Sequence, residues 1–165
     1  MLTQDEENYL AKIDPTRKVS ISAFDPRAKE TGDLIVKRIK DKLPDARVLF
    51  MGATALGIAG QNDIDIYVLS ESSKFGEHLP ILEKLFGKPK NIHETFIEWS
   101  FTEKGYPVEL YLTEPPDRQI KVYDILKSNK ELLKEYEELK LKFNGKSFID
   151  YQRAKYMFYN KILET

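Results

Sequence analysis

The residues best suited to chemistry are the two carboxylates of Asp63-Ile64-Asp65-Ile66. In an extended strand, residues i and i+2 point to the same face. Asp63 and Asp65 therefore share one face, about 7 Å apart along the strand, while Ile64 and Ile66 turn toward a core. Two like charges so placed repel by about 1 kcal/mol or less in water and several-fold more in a dry site. A divalent cation between them reverses the sign. Mg²⁺ (or Mn²⁺) takes hard oxygen ligands and is commonly held by one or two carboxylates together with substrate phosphates. Two such ions can clamp the attacking and leaving oxygens of a nucleotidyl transfer.

That arrangement needs a third carboxylate from another strand. In YPVELYL (106–112), Glu109 alternates with the apolar Val108 and Leu110 and faces away from them. Glu98, opposite in facing to Ile97 and Trp99, is the reserve candidate. Before the acidic pair stands Gly52-Ala53-Thr54. A glycine at a strand end lets backbone come close to a phosphate, the Ala53 and Thr54 amides can donate to it, and the Thr54 hydroxyl adds a donor. Taken alone, Asp alternating with Ile also describes a plain half-exposed strand; the glycine turn and the outward Glu109 favour a site.

The elements that must hold these residues can be read from punctuation and periodicity. Thr3 with Glu6 forms a capping box for a helix over about 4–13. KVSISAF (18–24) predicts a strand or extended arm. Asp25-Pro26 opens a helix with Ile35, Ile39 and Leu43 on one face. ARVLFM (46–51) and DIDIYVL (63–69) read as strands separated by a small-residue loop. Ser72 or Ser73 is expected to cap a helix over about 75–86, ended by Gly87 and Pro89. TFIEWSF and YPVELYL flank Thr102–Gly105, a four-residue hairpin loop. Asp117 is expected to cap the first of three closing helices. The second carries Leu132, Tyr136, Leu139 and Phe143, and Ser147 caps the third.

In the last helix Lys155 lies four residues from both Tyr151 and Tyr159. It could offer a cation to a triphosphate beside a ring for a base; the plainer reading is a lysine snorkelling over a packed aromatic stripe. Arg118, Lys121 and Arg153 are lesser phosphate candidates that a solvated helix face also explains. The charged run Lys127–Lys142 reads as an exposed face, His78 and His93 as surface residues, and Trp99 as core.

Composition excludes several classes. The 165 residues include no cysteine, which excludes thiolate sites, and two histidines that form no short pair, so any metal is expected on oxygen ligands rather than on a His-built zinc site. A net charge of −1 gives no positive field for non-specific binding to long nucleic acid. No apolar run reaches the length of a membrane span. The acidic N-terminus predicts neither a signal nor a transit peptide, and the missing cysteines fit a cytoplasmic location. The length suits one domain over 1–165, with a sheet-bearing part at about 18–113 and a helical part at about 117–163.

Gly52-Ala53, the loop, Asp63-Ile64-Asp65-Ile66 and the later Glu109 resemble the signature of polymerase-β-like nucleotidyltransferases. Within that superfamily the chain is most similar to the GrpB family, through FDPR (24–27), MGATALGIAGQNDIDIYVL (51–69) and the C-terminal YDILKSNKELLKEYEELKLKF…YQRAKYMF. Ala53 stands where the superfamily usually has Ser. Glu109 and Tyr111 stand where many GrpB members carry His-x-His. The resemblance implies an α+β fold: a small mixed sheet with helices on one face, plus a helical C-terminal segment. It also implies two Mg²⁺ ions on Asp63, Asp65 and Glu109, with a nucleoside triphosphate bound at Gly52, Ala53, Thr54 and Lys155. The expected reaction transfers a nucleoside monophosphate to a hydroxyl of a small molecule, a protein side chain or an RNA end. The alternative is a catalytically silent nucleotide- or partner-binding module on the same fold.

Overall fold

The computed structural model describes residues 1–164. Helix α1 (Gln4–Ala11) starts at the expected capping box: the Glu6 amide donates to the Thr3 hydroxyl, and the Glu6 carboxylate accepts from the Thr3 amide. Residues 18–24 form an extended arm rather than a strand, joined to the body by two isolated bridges, Lys18 with Ser147 and Ser22 with Gly60. Asp25 caps α2 (Pro26–Lys42), and its carboxylate accepts from the Arg27 amide. Strand β1 (Arg47–Met51) leads into a short helix, α3 (Ala53–Leu56), where a plain loop was expected. The small residues of this stretch fit a tight helical turn ended by left-handed Gly57.

Strand β2 (Ile64–Leu69) is followed by α4 (Phe75–Phe86). Neither Ser72 nor Ser73 caps α4: both lie in a 3-10 turn, Ser72–Lys74, and the helix begins at Phe75, itself buried in the core. A two-residue strand, β3 (Asn91–Ile92), was not legible in the sequence. Strands β4 (Phe96–Glu103) and β5 (Tyr106–Thr113) run further than expected, so the hairpin turn is Lys104-Gly105 alone. Both turn residues have positive φ, 51° and 87°, the conformation whose twist matches that of the flanking strands. Helices α5 (Asp117–Ser128), α6 (Lys130–Lys142) and α7 (Phe148–Leu163) complete the chain. Pro116, not Asp117, is the residue before α5, and it supplies no side-chain cap. Asn129 caps α6 and Ser147 caps α7 through their side chains.

The five strands lie in the order β1-β2-β5-β4-β3, parallel between β2 and β5 and antiparallel elsewhere. This is the mixed sheet of an α+β fold. Alternation sends Ile64, Ile66 and Val68 of β2 and Val108, Leu110 and Leu112 of β5 to one face. There they pack with Ile35 and Ile39 of α2 and with Phe75 and Leu82 of α4. Each such side chain stabilises the fold by about 1.5–3 kcal/mol relative to exposure. Trp99 is buried as expected and donates its indole N–H to the Gly87 carbonyl at 2.7 Å. A second core joins α3 to α5, α6 and α7 through Ala53, Leu126, Tyr136 and Phe158. Among the described residues, no helix is long and apolar enough to cross a membrane.

Candidate active site

The polar face of β2 and β5 and the closing helices enclose a cleft of about 390 Å³. Asp65 lies on β2 and pairs in register with Met51 of β1 on one side and Glu109 of β5 on the other. Gly52, the next residue after β1, has φ 92°, a conformation that favours glycine. A β-carbon there would stand 2.9 Å from Asp65 Oδ2. The absence of a side chain therefore lets the turn close over the Asp65 carboxylate.

Asp63 lies just before β2, so strand alternation does not aim it. The residue before it, Asn62, is left-handed with φ 52°. The Asp63 carbonyl accepts the Thr54 hydroxyl at 2.6 Å. Asp63, Asp65, Gly52 and Ala53 all line the cleft. Thr54, expected to offer its hydroxyl to a phosphate, has a different partner. Its side chain is 1% exposed, and the hydroxyl binds the acidic segment instead of facing a phosphate. Thr54 fastens the turn to Asp63.

Glu109 is next to Asp65 across the parallel pair, but its side chain does not line the cleft. Its Oε1 accepts the Ser100 hydroxyl at 2.8 Å from β4. Glu98 pairs with Tyr111, one side-chain row further along, and accepts from the Asn91 amide, so it stands outside the row that contains Asp65. Tyr67 and Tyr111 follow the acidic row and stack at 5.1 Å on the cleft floor.

Two lysines face the acids. Lys155 lines the cleft, half-buried, with its ammonium 5.6 Å from the Tyr159 ring centre. Burial works against its charge, but Tyr159, Tyr151, Asp65 and Asp63 outweigh that and hold it above the ordinary lysine value. Lys140, expected on an exposed charged face, is 4% exposed and lines the cleft. Its ammonium donates to the Tyr151 hydroxyl at 2.6 Å and lies 4.7 Å from the Tyr136 ring centre. A signal was present: Leu132, Tyr136 and Lys140 follow one another at spacing four, which puts Lys140 on the apolar stripe.

Arg118 lines the cleft but donates to Glu6 Oε1 at 2.9 Å and to Asn160. Arg153 pairs with both Glu7 oxygens, at 2.8 and 3.2 Å. Lys121 is exposed. His93 is exposed and stacks on Phe96, while His78 is half-buried.

The electrostatics mark Asp65 as the centre. Burial, then the Asp63 charge, push its carboxyl up to about 7, with Glu109 adding to the rise and Lys155 opposing it. Burial, helped by Lys155, pushes the Lys140 ammonium down to about 7. Among the described residues, no three His, Asp or Glu side chains are already drawn into a metal group. The donor set still suits Mg²⁺: two carboxylates line the cleft, a third is the register neighbour of one of them, and all the donors are hard oxygens. Crowded negative charge, which with burial raises the pKa of Asp65, is also what a cation would relieve.

The GrpB family profile, described as "GrpB protein", matches residues 18–165. No protein with a curated description matches the chain. Among solved structures, the chain is similar to Cid1, an RNA terminal uridylyl transferase, with 16% identity and a TM-score of 0.54. Structures of the Cid1 poly(U) polymerase with MgGTP and with Mg 3′-dATP match with TM-scores of 0.53 and 0.54 at 16% and 17% identity. These alignments cover 82% of this chain but only 43% or 44% of the Cid1 chains, so this chain spans less than half their length. Identity this low establishes shared architecture alone. With the family profile extending from the arm through the final helix, the chain belongs to the GrpB family, on a nucleotidyltransferase-like fold.

Proposed function

We propose that this protein is a Mg²⁺-dependent nucleotidyltransferase that moves a nucleoside monophosphate from a triphosphate to a hydroxyl acceptor. One observation carries the reading: Asp65 sits at a cleft floor, paired with Glu109 and charge-coupled to Asp63, with two inward lysines opposite. Asp63, Asp65 and Glu109 would hold the metal, which supplies neutralisation of the phosphates and a lower pKa for the acceptor hydroxyl. Lys140 and Lys155 would orient the triphosphate and offset its charge. The Gly52 turn brings backbone close to the carboxylates, where the phosphates would lie. Tyr67 and Tyr111 offer ring faces for stacking. The acceptor class remains a small molecule, a protein hydroxyl or an RNA end; the likeness to Cid1 makes the RNA end a natural first trial.

A second reading, a nucleotide-binding module without turnover, draws on two features. Glu109 is engaged by Ser100 and lies outside the cleft lining, and Ala53 removes a hydroxyl from the turn. The test is incubation with α-labelled triphosphates, Mg²⁺ and cell extract, with Asp65→Ala as the blank. Label on a defined acceptor, absent with Asp65→Ala, supports transfer. Metal-independent binding with no label, unchanged in Asp65→Ala, supports the module and overturns the enzyme.

A further inference from the structure

The arm before α2 has no role in the site as described so far, yet it reaches the acidic segment directly. Asn62 Oδ1 accepts the Asp25 amide at 3.2 Å, and Asn62 Nδ2 donates to the Ala23 carbonyl at 3.2 Å. Ser22 and Gly60 exchange two backbone hydrogen bonds, of 2.8 and 3.0 Å, just upstream of each contact. Asp25 is itself fixed, as the cap of α2 and as the acceptor of the Tyr106 hydroxyl. The backbone of Asn62 is left-handed, at φ 52°. Few residues other than glycine adopt this conformation readily, and asparagine is the commonest of them.

Asp63 follows Asn62 and lies outside β2, so no ladder bond of that strand orients it. Two anchors remain for its backbone. One is the Thr54 hydroxyl on its carbonyl. The other is the side chain of Asn62, clamped to residues 23 and 25. A chain leaving Asn62 with ordinary extended geometry would start β2 along a different path. Partners that orient metal-binding carboxylates are typically worth 10–100-fold in metal affinity.

We infer that Asn62 is a positioning residue: its left-handed backbone and its two side-chain bonds to the arm aim Asp63 into the cleft. The arm, with the Phe24-Asp25-Pro26-Arg27 segment, is thereby part of the support of the acidic pair. The inference rests on the reading of Asp63 as a metal-holding residue.

Asn62→Gly separates the two contributions, because glycine keeps the left-handed backbone and loses both side-chain bonds. Asn62→Ala loses the bonds and strains the backbone. Mn²⁺ binding, followed by electron paramagnetic resonance with a triphosphate present, is expected to weaken about tenfold in Asn62→Gly and further in Asn62→Ala. Ile39→Val, a buried change on the far side of the sheet, serves as the control: its melting temperature falls while Mn²⁺ affinity is retained. Wild-type affinity in Asn62→Gly would overturn the inference. A crystal structure of Asn62→Gly decides the same point without metal. Asp63 turned away from the cleft supports the role, and Asp63 in its original place removes it. Failure of the wild-type protein to bind Mn²⁺ would count against the proposed function, and the crystal structure would still decide the role of Asn62.

Discussion

On one face of the sheet, Ile64, Ile66, Leu110 and Leu112 are sealed beneath α2 and α4 with no measurable exposure. On the other, the alternate residues of the same two strands, Asp65, Tyr67, Glu109 and Tyr111, are half-buried beside a cleft. The backbone is shared, so the difference lies wholly in the side chains. The apolar face is satisfied within the fold. The polar face crowds carboxylates and buries lysines, an arrangement that raises one acid and lowers one base toward about 7. Such opposed shifts reflect the cost of burying charge, and they cluster at functional sites in proteins generally. One face carries stability, and the other carries the titratable charge.

Substitutions should divide along the same line. The largest effect is expected for Asp65→Asn. Transfer should fall about 10³-fold or more, several kcal/mol of transition-state stabilisation, and calorimetric titration should show metal-dependent nucleotide binding lost. Its unfolding midpoint at neutral pH should not drop, since a like-charged neighbour has been removed. Leu110→Ala, one residue from Glu109, should do the reverse. Urea unfolding should show a loss of 2–5 kcal/mol in stability, by about the range usual for buried leucines, with nucleotide affinity per folded molecule unchanged. Equal loss of binding in both variants would mean that the two faces do not divide the work.

Lys140→Met should weaken triphosphate binding by about tenfold or more, as the removal of one charge-assisted contact would. A buried, desolvated ammonium is also removed, so thermal unfolding should show no loss of stability. A destabilised variant with intact binding would make Lys140 a structural residue.

The same division shows in pH dependence. Burial and the Asp63 charge push the Asp65 carboxyl up to about 7 in the fold, against about 3.9 when unfolded. Between those values the folded chain holds a proton that the unfolded chain has lost. Its contribution to stability is therefore complete below about pH 4 and is lost as pH rises through about 7. The metal-free difference in stability between Asp65→Asn and wild type should shift in favour of the variant over that window, by at most about 1.4 kcal/mol per pH unit. Lys140 gives the mirror image: its contribution is present above about pH 10.4 and is lost as pH falls through about 7. A flat difference for Asp65→Asn across pH 4–7 would show that its carboxyl is not held above the ordinary range.

Much of this division could be read along the chain. Period-two alternation in Ile64–Leu69 and Tyr106–Thr113 put the carboxylates on one face and the aliphatic residues on the other, and the register pairs Asp65 with Glu109. Local chemistry also gave the caps at Thr3, Asp25 and Ser147. Elsewhere local signals were outcompeted. The Thr54 hydroxyl has the right chemistry for a phosphate, but a carbonyl nine residues away claims it. Lys140 has the composition of a surface residue, but the tyrosines of α6 and α7 enclose it.

What the amino-acid order determined by itself was the alternation of β2 and β5 and the caps at Thr3, Asp25 and Ser147, because each depends on neighbours within a few residues and on fixed backbone periods. What only the tertiary structure decided was which polar groups are free and which are spent. Arg118 and Arg153 are taken up by Glu6 and Glu7 of a helix more than a hundred residues earlier. Asn62 is clamped by an arm that forms no strand. Those partners meet only after the chain has folded, and hydrogen bonding between groups far apart in sequence leaves no periodic trace along it.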